Sequence, residues 1–160
     1  MADAVERRLK ELGLVLPAVV APRGSFETAV LSGRMLYLSG KGAPARPDGE
    51  PVPKVGREVS VAQAQAHAHE IGLYLLAAMR DAAGGFDHIL RVVKLYGMVN
   101  AVPDFTGHTE VINGCSDLFV NVLGDRGRHA RSAVGVGSLP KGFAVEIEAV
   151  VELRPAGQVG

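Results

Sequence analysis

The stretch Arg128–Leu153, RHARSAVGVGSLPKGFAVEIEAVVEL, decides how this 160-residue chain folds. From Ala144 to Leu153 the side chains alternate in character. Val145, Ile147, Ala149, Val151 and Leu153 fall on one face of an extended strand, and Glu146, Glu148 and Glu152 fall on the other. One face belongs to a core and the other to water or to chemistry. The run Arg131–Ser138 also has strand character, and Leu139-Pro140-Lys141-Gly142 has the composition of a turn. Together they predict a hairpin with Arg131 toward one end. An arginine ahead of such a turn and glutamates after it give an anion-binding cation facing a proton-handling carboxylate. A hairpin with a solvated acidic face and a surface arginine has the same pattern, so this segment alone leaves both open.

Composition narrows the classes of function. A chain of this length suits one domain and buries roughly 70% of the surface its unfolded form exposes. Lys plus Arg and Asp plus Glu are both 17, a formal charge of zero, so no excess positive potential draws a polyanion and nucleic acid is not the default partner. The single cysteine, Cys115, excludes an internal disulfide framework and fits a reducing cytoplasm. No apolar run reaches membrane-spanning length, and MADAVERRLKELG is amphipathic and mixed in charge, unlike a signal peptide. A soluble cytoplasmic protein is expected. With no net charge to oppose self-association, an oligomer is plausible.

Outward from the deciding stretch, the pattern is helix, strands, helix, strand, helix, strands. Val5, Leu9 and Leu12 form a short apolar stripe in an N-terminal extension spanning residues 1–22. Phe26–Val30, a turn at Ser32-Gly33-Arg34 and the apolar run Met35–Leu38 predict a hairpin ended by Ser39-Gly40. Lys41–Gly56, rich in proline and glycine, predicts a loop. A helix is predicted over Ser60–Ala83, with Ala64, Ala68, Ile71, Leu75, Ala78 and Ala82 on one face and Gly84-Gly85 as its stop. Ile89–Val99 predicts a buried strand. Pro103-Asp104 then opens a second helix carrying Val111, Cys115, Leu118 and Val122 at helical spacing, closed by Gly124. The expected product is a single α+β domain over residues 1–160, with two long helices on one face of a sheet.

The usual chemical signatures are missing. There is no phosphate loop, no dinucleotide fingerprint, no C-x-x-C and no H-E-x-x-H. His67 and His69 are two apart on a helix and point to different faces, which argues against a metal pair. Cys115 lies on an apolar stripe, as a structural thiol does.

Arg131-Ser132-Ala133-Val134, followed by Leu139-Pro140 and Val145-Glu146-Ile147-Glu148-Ala149, resembles the closing signature of the Rid family, also called YjgF or endoribonuclease L-PSP. The likeness extends from about Phe26 to Leu153. It includes Leu38-Ser39-Gly40, Ala82-Ala83-Gly84, Val92-Val93-Lys94, Asp104-Phe105 and Ile112-Asn113. The N-terminal extension and INGCSDLFVNVLGDRGRHARSAVGVGSLP are more similar to the family's longer bacterial subgroup than to its short deaminases.

The resemblance implies a chorismate-mutase-like α+β fold assembled as a homotrimer, with ligand clefts between subunits. Trimerisation would also bury the sheet face left open by the helices. It implies that Arg131 holds the carboxylate of a reactive 2-imino or enamine acid, whose two oxygens its planar fork can pair. Glu146 then positions a water, accepts its proton during attack and returns it as ammonia leaves. Such hydrolysis needs no metal, and no cofactor is expected. Gly40 matches a position where backbone meets ligand, Ser132 and Ala133 present main-chain groups beside Arg131, and Asn113 matches an asparagine of the cleft or subunit contact. Phe26 stands where the deaminases have a tyrosine, so a hydroxyl is absent. Lys41 stands where many members have glutamine and adds a second cation near the cleft.

Three functions fit these residues: hydrolysis of imino or enamine acids, non-catalytic binding of a small carboxylate, and the ribonuclease activity of the family's older name. The last would need a local patch built from Arg126, Arg128, His129 and Arg131.

Overall fold

The structure is a computed structural model that describes residues 4–44 and 52–155. Its strands are β1 (Ala29–Ser32), β2 (Met35–Ala43), β3 (Ile89–Asn100), β4 (Ala130–Val136) and β5 (Val145–Leu153), and its helices are α1 (Ala4–Glu11), α2 (Val61–Ala83) and α3 (His108–Leu123). The strands form one mixed sheet in the order β1-β2-β5-β3-β4. Alternation in β5 sorts its side chains as expected: Val145, Ile147, Ala149 and Val151 are buried, and Glu148 is exposed. The core is continuous, with α2 and α3 packed on each other and on the sheet face that carries Leu36, Leu38, Leu95, Val99 and Ile147. No helix among the described residues is long and apolar enough to cross a membrane.

Local chemistry explains the helices. Ser60 caps α2 reciprocally: its Oγ accepts from the Gln63 N–H at 3.2 Å, and the Gln63 side-chain carbonyl accepts from the Ser60 N–H at 2.9 Å. Gly84, at φ 76°, ends the helix in the left-handed conformation that glycine adopts without strain. Ala64, Ala68, Ile71, Leu75 and Ala78 are buried as predicted, whereas Ala82 is exposed. The α3 stripe of Val111, Cys115, Leu118 and Val122 is wholly buried. Burial pushes the Cys115 thiol well above its ordinary pKa, the state of an inert core residue.

The sheet corrects the expected hairpin. β4 does not pair with β5: it runs parallel to β3, which lies between the two. A parallel pair needs a crossover, and α3 supplies it. The connection from β4 to β5 therefore passes across the end of β3, where Asn100 holds it. Asn100 is fully buried, its Nδ2 donates to the Phe143 carbonyl at 3.1 Å, and its backbone N–H donates to the Ala144 carbonyl at 2.9 Å. Lys54 donates to the Asn100 side chain and, at 2.6 Å, to the Gly137 carbonyl. A polar group buried this deeply needs such partners.

Smaller differences have local causes. β1 begins at Ala29 rather than near Phe26, and β2 continues past Ser39-Gly40 to Ala43 because a register shift between Leu38 and Lys41 absorbs those residues as a bulge. α3 begins at His108, since residues after Pro103 first make a turn in which the Phe105 N–H donates to the Val102 carbonyl. Val5 and Leu9 are buried, but Leu12 lies beyond α1 and is 37% exposed. Residues 45–51 of the expected Lys41–Gly56 loop lie outside the described residues, as do residues 1–3 of the extension.

Candidate ligand cleft and arginine network

The bulge in β2 builds one side of a cleft. Ser39 is tied back to the preceding chain, its Oγ donating to the Glu27 carbonyl at 2.6 Å and its N–H to the Thr28 carbonyl at 2.9 Å. Gly40 is thereby set against Glu146 of β5, so close that a Cβ there would collide with the Glu146 carboxylate. The resulting cavity, about 650 Å³, brings Glu146 together with Gly40, Lys41, Tyr74 and Phe26. Phe26 is 56% exposed and offers the cleft a bare ring. Burial, and secondarily the neighbouring Glu148 charge, pushes the Glu146 carboxyl above its ordinary value. A carboxylate poised in this way is suited to take and return a proton. A hollow of similar size, about 690 Å³, runs between α2 and α3 past Leu12 and Leu14 and contains none of the expected site residues.

Gly40→Ala tests that close approach. The colliding atoms are the far end of a flexible side chain, so the sheet should hold and the carboxylate should move. Because a displacement of about 1 Å can cost roughly 10²-fold in rate, turnover should fall far more than thermal stability. A variant as active as the parent would show that Glu146 needs no such placement.

Arg131 lies elsewhere. Its Nη1 donates to Asn113 Oδ1 at 2.8 Å and to Ser116 Oγ at 3.0 Å, both on α3. Ser116 in turn meets His129 Nε2 at 3.0 Å, and His129 Nδ1 lies 2.6 Å from the Gly127 carbonyl. A carbonyl only accepts, so Nδ1 carries the proton. In the neutral ring Nε2 then accepts from the Ser116 hydroxyl, whose oxygen accepts from Arg131. The chain of bonds is consistent in direction from end to end. It braces one arm of the guanidinium and leaves Nε and Nη2 without a hydrogen bond among the described residues.

Burial, reinforced by the Arg131 charge, holds His129 below its ordinary value, against the Gly127 hydrogen bond that favours protonation. A histidine kept neutral by the fold contributes stability that is full above its unfolded value, near 6.5, and is lost as pH falls toward the folded value. The melting temperature of the parent should therefore drop from about pH 7.5 to about pH 5 more steeply than that of His129→Gln. Parallel curves would remove His129 from the network.

The expected site residues thus fall into two groups. Phe26, Gly40 and Glu146 share the cleft, and Asn113 touches Arg131. Ser132 accepts from Lys94 Nζ at 3.1 Å on β3, while Ala133 packs against the core. Within one chain Arg131 and Glu146 do not face each other, contrary to the hairpin expectation. Arg131 pairs in register with Leu95, which pairs with Ala149, three residues along β5 from Glu146. Strand spacings of about 4.8 Å and rises of about 3.3 Å per residue put their backbones roughly 14 Å apart. Each member of the expected basic patch has a partner within the chain. Arg126 donates to the Phe86 and Ile89 carbonyls, Arg131 and His129 are bound up in the network, and Arg128 pairs with Asp125 at 3.3 Å. Among the described residues no cluster of three or more His, Cys, Asp or Glu side chains could hold a metal ion.

Ser116, Tyr74, Arg23 and Lys141 were not anticipated. Ser116 carried a usable signal, since it is three residues from Asn113 and shares its helix face. His129 likewise lies two residues before Arg131, just ahead of β4.

One mixed sheet covered by helices on a single face, with the Glu146 carboxylate in a cleft beside the β2 bulge, makes this an α+β protein. Residues 17–153 match the profile of the endoribonuclease L-PSP family, and the chain belongs to that family, also known as Rid or YjgF. It is 42% identical over 151 residues to Protein TCP17 of Trypanosoma cruzi, covering 94% of each chain. Among solved structures, protein Atu1372 of Agrobacterium tumefaciens, of unknown function, is 43% identical with a TM-score of 0.81, covering 94% of both chains. RidA of an Antarctic Psychrobacter is 31% identical with a TM-score of 0.53, covering 86% of this chain and 93% of its own.

Proposed function

We propose that this protein hydrolyses reactive 2-imino or enamine acids to the 2-oxo acid and ammonia without a metal. The observation that carries the proposal is the half-buried Glu146 carboxylate in the cleft, with its proton affinity raised by burial. Water adds to the carbon of the protonated imine as Glu146 accepts its proton, and the carboxyl returns that proton to the amine nitrogen of the carbinolamine. As ammonia departs, Glu146 takes the remaining hydroxyl proton and the carbonyl forms. Atoms balance with one water consumed per ammonia released.

The reaction needs the substrate carboxylate anchored, and within one chain Arg131 is too distant. We therefore propose a homotrimer in which Arg131 of a second copy approaches the Glu146 cleft. The sheet face opposite the helices supports this assembly: Tyr37 there is 49% exposed, and Lys94, Tyr96 and Met98 are only partly covered. Ammonia release from freshly generated imino acids of different side chains tests the chemistry, and light scattering tests the assembly. No ammonia from any of them defeats the enzymatic proposal, and a stable monomer at micromolar concentration defeats the trimer.

Phe26 favours a second function, the binding of a small carboxylate without turnover, because its bare ring cannot help to orient water. Under that alternative, carboxylate affinity survives in a protein that releases no ammonia.

A further inference from the structure

The cleft holds more positive charge than imine hydrolysis uses. Of the charged side chains that line it, Arg23, Lys41 and Lys141 are cations and Glu146 alone is an anion. Three positive charges against one negative leave a net charge of two positive when all four are ionised. None of the three cations makes a salt bridge among the described residues.

They arrive from three separate parts of the chain. Arg23 follows the N-terminal extension, whose Val20, Ala21 and Pro22 form the adjoining wall. Lys41 follows the β2 bulge, is partly buried, and holds its Nζ 4.2 Å from the centroid of the Tyr74 ring. That contact keeps the ammonium at the cleft rather than in bulk water. Lys141 stands in the turn before β5 with φ 52°, a conformation that the flanking Pro140 and Gly142 turn imposes on it. Arg23 and Lys141 are exposed and Lys41 is partly buried, so the cleft carries a net positive field that a bound anion would meet. Phe26 and Phe143 meanwhile offer apolar contact to a short carbon chain.

We infer that the cleft takes a small acid bearing two anionic groups, the second held by Lys41 with Arg23 and Lys141 at the rim. This rests on the proposed use of the Glu146 cleft, with Arg131 of a second copy holding the first carboxylate. It names the substrate class as imino or enamine derivatives of dicarboxylic acids. Arg23, directly after the N-terminal extension, would also take part in substrate choice.

Calorimetric titration of the full chain with succinate and with butyrate tests the inference, because the two probes have the same carbon count and differ by one carboxylate. Succinate should bind about tenfold or more tightly than butyrate, on the scale of one charge-assisted contact. Lys41→Gln should erase most of that preference and leave butyrate unchanged. Arg131→Ala should weaken both acids. Equal affinities in the parent, binding of neither acid, or an equal loss for both acids in Lys41→Gln would each overturn the inference. A protein that prefers succinate yet releases no ammonia defeats only the enzymatic proposal. Release of ammonia with equal binding of the two acids defeats only the dianion.

Discussion

Glu146→Gln should lower ammonia release by roughly 10²-fold or more, the scale of lost general acid–base catalysis. Affinity for small carboxylates should change little, because no cation is removed. The same variant should melt at a higher temperature than the parent at neutral pH. The sign follows from the raised folded-state value. The carboxyl's contribution to stability is full below its unfolded value and is lost as pH rises through the folded one, so at neutral pH the parent bears a buried charge that glutamine avoids. Turnover by the parent should rise with pH through a value above 4.5, the ordinary one for glutamate. Kinetics and thermal melts on one preparation decide the matter. A variant that turns over like the parent makes the carboxylate a bystander, and one that melts lower makes it structural.

Arg131→Ala should weaken small-carboxylate binding by roughly 1.5–3 kcal/mol, about tenfold or more, the worth of a charge-assisted hydrogen bond. Two of the fork's nitrogens are free of bonds among the described residues, and Asn113 and Ser116 brace the third. Arg131→Lys should recover only part of the loss, because an ammonium keeps the charge and lacks the planar pair of donors. Titration calorimetry reads both. Full affinity in Arg131→Ala would make the network a purely structural clasp between β4 and α3.

Strand alternation in Val145–Leu153 and the apolar stripes of α2 and α3 were legible because each is a local period facing one core. Partners were less legible. The turn composition of Leu139–Gly142 correctly marked a break between strands, but nothing nearby reported that β3, some forty residues earlier in the chain, lies between them. The mistaken hairpin also put Arg131 and Glu146 face to face. The individual candidate residues were named through the family signature, whereas their division between two places depends on sheet order. Arg23 and Lys141 were hidden for a related reason, since they reach the cleft from opposite ends of the chain.

The central strand of the sheet is also the last in chain order among the described strands. β5 joins β2 to β3, and pairs such as Leu36 with Val151 span most of the chain. A nascent chain that has already emitted β1 through β4 still lacks the strand that connects its two halves, and the edges of β2 and β3 stay open until it arrives. Folding must wait for this long-range closure, which makes it slow relative to a helical protein of equal length and leaves unpaired strand edges exposed to other chains in the meantime. Since Glu146 is itself on β5, loss of even the last dozen or so described residues would remove the keystone of the sheet together with the proposed reactive carboxylate.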